Sequence, residues 1–170
     1  MRAYKFLRPG AVGPFSGFAW PVGEWVEARE PTLCESGVHA CRIQDLPYWI
    51  AAELWEAELE GAVREEPRKL VATRARLVSR VDRWDARAGA AFAHACAQRV
   101  RTRADEATGE KAEWLGAYAA DAAANAERGE VALLGYIAAR AAEVDSGIEG
   151  YVSEREAQAR WLAAELRLEP

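Results

Sequence analysis

The hydrophobic positions change rhythm part-way along the chain. Up to about residue 82 they alternate in short runs broken by Gly and Pro, and beyond it they recur at helical spacing among alanines. "AYKFL" at 3–7 puts Tyr4 and Phe6 on one side and Lys5 on the other, which predicts a strand. "RPGAVGPFSGFAWPVG" at 8–23 predicts loop and turn, with Phe15, Phe18 and Trp20 interleaved. "EWVEA" predicts a short strand, "ESG" at 35–37 a turn, and "VHACR" after it a short extended piece. Asp45 is placed to cap a helix with Pro47 in its first turn, running to about Ala52 or Leu54. "LWEAELEG" alternates Trp55, Ala57 and Leu59 against Glu56, Glu58 and Glu60, a half-buried strand ending at Gly61. "EEPR" predicts a turn. The run at 70–81 then turns Val71, Thr73, Ala75 and Leu77 inward and Arg74, Arg76 and Arg80 outward.

Asp82 and Asp85 predict a helix start, followed by a stripe of Trp84, Ala88, Ala91, Phe92, Ala95 and Arg99. Three more helices are predicted at about 110–127, 130–145 and 153–167, punctuated by Gly129 and Gly147. The last opens on a capping box, Ser153 with Glu156, and Val152 as its staple. The fold class is α+β: a small, mostly antiparallel sheet in the N-terminal half and a helical layer in the C-terminal half. One domain over 1–170 accommodates both, strand-rich over 1–81 and helical over 82–170.

Composition narrows the setting. No run of about 18 apolar residues occurs, so no membrane contact is expected. The first residues lack the apolar stretch of a secretory signal. Three cysteines, an odd count, fit a reducing, cytoplasmic setting better than a disulfide framework. Richness in Ala and Arg, with only Lys5, Lys69 and Lys111 as lysines, reads as the bias of a GC-rich bacterial genome. The net charge of −5 is uneven. Residues 61–103 hold eleven basic and four acidic side chains, and residues 104–170 hold six and fourteen. Either the two segments neutralise each other by packing, or the middle forms an anion site. The acidic whole argues against a nucleic-acid surface.

Candidate chemistry concentrates at "SGVHACR". The chain's two histidines both sit in His-Ala-Cys triplets, but the geometry differs. In the helix at 92–99, His94 and Cys96 point to nearly opposite sides, so His94 faces solvent and Cys96 packs. In the extended piece, His39 and Cys41 point the same way, about 6–7 Å apart. That spacing is too long for direct activation of the thiol. Cys34, His39 and Cys41 lack a nearby fourth ligand, so no metal is assigned. His39 is either a partly buried packing residue or a hydrogen-bonding or acid–base group. Phe15, Phe18 and Trp20 either cover the sheet or line a pocket that stacks on a flat ligand. Glu56, Glu58 and Glu60 are an outward row that pairs with the arginines, with Glu58 the candidate for catalysis among them.

The order "AYKFLRPG", a Gly/Pro loop, "LCESGVHACRIQDLPYWI" and "LWEAELEG", covering 3–61, resembles that of small ADP-ribosyltransferase-like domains. C-x2-G-x-H-A-C is similar to a motif of small bacterial and phage proteins. The resemblance implies a topology in which a first strand ends in a charged residue and a short Gly-containing strand leads into a helix. Lys5 stands where that family places Arg or His to hold NAD. The Val38–His39 pair replaces its Tyr or Ser, and Glu58 or Glu60 stands for its catalytic glutamate. No G-x-G-x-x-G or Walker sequence is present. The cofactor stays open.

Two functions follow as expectations. The first is a small ligand-binding or group-transfer protein with an aromatic pocket near His39, for a nucleotide-like ligand. There His39 and Glu58 are the candidate catalytic groups, and Lys5, Trp20, Arg42 and Trp49 the candidate ligand-binding residues. The second is a non-enzymatic module whose helical half binds a protein partner.

Overall fold

The computed structural model describes residues 1–28 and 37–169. The architecture is α+β, with an antiparallel sheet in the N-terminal half and helices in the C-terminal half. The chain divides into two compact units, Met1–Asp85 with Leu166–Pro170, and Ala86–Glu165. Cys34 and most of the turn predicted at 35–37 lie outside the described residues.

The first unit is built on a long hairpin of β4 (Glu53–Glu66) and β5 (Lys69–Arg80). β1 (Arg2–Leu7) pairs antiparallel with β4. β2 (Val26–Glu27) and β3 (Val38–Ala40) pair antiparallel with separate stretches of β5. Alternation drives one face of the sheet into a core of Ala3, Leu7, Trp55, Ala57, Leu59 and Leu77, joined by Val38, Ala40 and Trp20. β1 is buried on both sides, because Tyr4 and Phe6 are also buried, Phe6 edge-on to Trp84 at 5.5 Å.

Three expectations change here. β4 does not stop at Gly61; it bulges there and continues. Gly61 has φ +76°, and Thr73 Oγ1 accepts a hydrogen bond from the Ala62 N–H at 3.1 Å. The inserted residue resets the alternation. The core-facing residues of β5 are therefore Leu70 and Ala72, then Ala75 and Leu77. Thr73 serves the bulge instead of the core, and Val71 is buried outside that cluster. Second, Asp45 does not start a helix. It sits inside a 3-10 helix, Ile43–Tyr48, and its carboxylate binds back to the Arg42 N–H and Nε. Pro47 brings no N–H, and the turn closes with the Trp49 N–H donating to Leu46 O.

The second unit holds α1 (Ala86–Glu106), α2 (Glu110–Glu127) and α3 (Val131–Leu166). The third change is in α3. Two helices abut at Ser146 and Gly147 (φ +71°), so Ser153 and Glu156 lie inside a helix and form no capping box. Gly150 makes the junction possible, since a Cβ there would stand 2.2 Å from Ala142 O. His94 is exposed and Cys96 fully buried, as their helical phase requires. Arg99, from the predicted stripe, takes part in an ion cluster. Glu154, 1% exposed, accepts from Arg99 and Arg103 at 2.8 Å and from Gln158 at 3.0 Å.

Two outcomes follow. Gly61→Ala forces an unfavourable φ and a Cβ only 2.3 Å from Thr73 Oγ1. It should lower stability to urea by about 2 kcal/mol, and an unchanged midpoint contradicts the bulge. Burial pushes the Glu154 carboxyl up, but Arg99, Gln158 and Arg103 together hold it below the ordinary value. Its contribution is complete above the unfolded carboxyl pKa and is lost as pH falls through the lower folded value. Glu154→Gln should therefore lose about 3 kcal/mol at pH 7, with the gap to wild type closing in acid. A pH-independent gap in urea titrations contradicts the ion cluster.

Candidate functional site

A cleft of about 720 Å³ opens in the first unit, bounded by β1, β3 and the loop after β1. The loop comes first in its construction. "RPGA" leaves two N–H groups without a strand partner, and Glu53 at the start of β4 supplies their acceptor. Its carboxylate takes the Gly10 and Ala11 N–H groups at 3.1 Å each and the Trp55 indole N–H at 3.0 Å. Arg80 lies 3.4 Å away. Burial raises the Glu53 carboxyl, but these four partners together hold it below the ordinary value. The anchored loop then presents Pro14, Phe15, Ser16 and Phe18 to the cleft.

The aromatic walls pack as edge-to-face pairs. Phe15 stands against Trp49 at 6.3 Å and Phe18 against Trp20 at 5.8 Å. Trp20 is 8% exposed and belongs to the core, whereas Phe15 is 87% exposed and Phe18 45%. Trp49 is oriented by its indole N–H, which donates to Arg68 O.

Three basic side chains line the same cleft: Lys5, His39 and Lys69. Alternation along β1 puts Lys5 on the face of Ala3 and Leu7. Its ammonium donates to the His39 carbonyl and sits 4.9 Å from the Trp20 ring centre. Among the described residues no carboxylate pairs with it. Burial pushes its pKa down to about 8, against an opposing effect from Cys41. His39 turns its side chain away from the core face occupied by Val38 and Ala40. Its Nε2 is buried and has no hydrogen-bond partner among the described residues. Burial first, then Lys69 and Lys5, lower the His39 pKa, so the ring is neutral at pH 7. Cys41 also lines the cleft, but its thiol is buried, donates to Tyr4 O at 3.3 Å and is pushed up to about 12. It is a packing residue.

The structure thus brings Lys5, Trp20, His39 and Trp49 together, and leaves Arg42 and Glu58 off the cleft. Arg42 pairs with Asp45 at 2.6 Å and Glu65 at 2.9 Å, clamping the 3-10 helix to the hairpin. Glu58 pairs with Arg76 at 2.6 Å, and Glu60 with Arg74 at 3.1 Å, across β4 and β5. Sequence reading missed Tyr4, Glu27 and Lys69 as lining residues, and Glu53 as the loop's anchor. Among the described residues no cluster of metal-ligating side chains occurs, and no helix is long and apolar enough to cross a membrane.

A lysine held as a poorly solvated cation has a stability signature. Its folded pKa, about 8, lies below the ordinary value of 10.5, so the unfolded chain binds more protons between them. Wild-type stability therefore gains on that of Lys5→Met as pH rises through this window. Melting temperatures of both proteins at pH 7 to 10 check this. A constant difference contradicts the buried ammonium.

Neither a search of curated proteins nor one of solved structures returned a match. One family model matches residues 1–88, the stretch that contains β1 to β5 and every residue of the cleft. The chain accordingly belongs to the family described as Domain of unknown function (DUF7666).

Proposed function

We propose that the first unit is a small-molecule binding domain, cytoplasmic and with a group-transfer chemistry in reach, whose ligand is nucleotide-like: a flat ring joined to an anionic group. The observation that carries this is His39, which lines the cleft with Lys5 and Lys69 and whose buried Nε2 has no hydrogen-bond partner among the described residues. A buried polar atom without a partner is disfavoured by about 1–3 kcal/mol, and a ligand donor or acceptor relieves that. Lys5 and Lys69, which line the cleft together with Glu27, are groups that can pair with a phosphate or carboxylate. Phe15, Phe18 and Trp49 offer ring faces and edges to the flat part. The resemblance of the segment order to small ADP-ribosyltransferase-like domains makes NAD one ligand to try. Two buried free thiols, Cys41 and Cys96, fit a reducing compartment.

A second reading rests on the helical unit, where Trp114 is 59% exposed and Leu133, Tyr136, Ile148 and Val152 are also exposed. Large exposed apolar side chains suit a protein partner.

Thermal shift with NAD, adenosine diphosphate and adenosine separates the two. The proposal expects the anionic ligands to raise the melting temperature by mass action. His39→Ala and Trp49→Ala should each abolish the rise while keeping a native circular dichroism spectrum. No rise with any of them, at millimolar concentration, overturns the small-molecule reading.

A further inference from the structure

We infer that Lys5 is a nucleophilic amine, placed in the cleft to condense with the carbonyl group of an aldehyde or keto ligand. This deepens the proposed ligand site and rests on it for the shape of the ligand.

Four observations converge on Lys5. Its amine lines a cleft large enough for a small molecule. Among the described residues it has no carboxylate partner, and its one hydrogen bond goes to a backbone carbonyl, which accepts from an amine as well as from an ammonium. The Trp20 ring lies beside it and excludes water. Lys69 lines the same cleft and places a second cation beside an anionic group of the ligand. Burial alone pushes the group down to about 8, so near neutral pH a useful fraction carries a free lone pair.

The step balances without a co-reactant. The amine lone pair attacks the carbonyl carbon, and the carbonyl π electrons move to oxygen. A proton passes from nitrogen to that oxygen, giving a carbinolamine. Loss of the hydroxyl together with the remaining proton on nitrogen, as water, leaves a C=N bond to Lys5 Nζ. The neutral imidazole of His39, in the same cleft, is the group on hand to carry the proton.

The sequence makes the test clean, because Lys69 and Lys111 are the only other lysines. Lys111 is exposed, in the helical unit, and serves as an internal reference. The full chain is treated at pH 7 with pyridoxal 5′-phosphate, a flat aromatic aldehyde bearing an anion, then with borohydride. Adducts are assigned by peptide mass spectrometry. Lys5 should be labelled at least about tenfold faster than Lys111, with a rate that levels off above pH 8. Lys5→Arg keeps the charge and a donor but should lose the label. Labelling of Lys5 no faster than Lys111, or preferential labelling of Lys69, overturns the inference. If Lys5 stays unlabelled while NAD or adenosine diphosphate still raises the melting temperature, the amine chemistry falls and the binding site stands. If Lys5 is labelled and no nucleotide binds, the inference stands and the nucleotide-like reading falls.

Discussion

The arrangement turns on one constraint: the alternation of β1 places the Lys5 side chain on the same face as Ala3 and Leu7. A lysine there must either lose its charge or find a partner. The structure gives it a single carbonyl, from His39, and the face of Trp20. No carboxylate among the described residues neutralises it. A purely structural position would favour an apolar side chain, because burying an unpaired ammonium opposes folding. Retention of the amine in a cleft is what gives the site its chemical character.

The rest of the unit holds this group in place. β3 brings the His39 carbonyl to Lys5 and the imidazole near enough to feel its charge. Glu53 fixes the Gly/Pro loop through two backbone N–H groups, and so positions Phe15 and Phe18 at the mouth of the cleft. Arg42, tied to Asp45 and Glu65, fastens the segment that ends in Trp49. The Glu–Arg rows on β4 and β5 are cross-strand pairs that fix the hairpin register, and Arg74 also holds Glu27 at the cleft. Charge-rich as they are, they stabilise the scaffold.

Much of the scaffold could be read in the chain because it depends on local periodicity. The strands at 3–7 and 54–61, the helices after residue 85 and the opposite phases of the two His-Ala-Cys triplets all follow from spacing of two or 3.6 residues. What escaped depends on partners distant in sequence. Gly61 reads as a strand end until Thr73 is seen to complete a bulge across the hairpin. Ser153 and Glu156 look like a helix start, yet Gly147 lets the chain restart earlier. Glu53 looks like any acid at the head of a strand, and only the approach of Gly10 and Ala11 makes it an anchor. Of the candidate site residues, Lys5, Trp20, His39 and Trp49 converge on the cleft. Arg42 and Glu58 do not, because each is engaged by a neighbouring ion pair.

The most direct measurement is the titration of the Lys5 amine itself, followed by NMR with isotope-labelled lysine, in a chain with only three lysine signals to assign. The account predicts that Lys5 titrates near 8 while its side chain stays in the folded environment. A Lys5 signal that titrates at the ordinary value of 10.5 would contradict it.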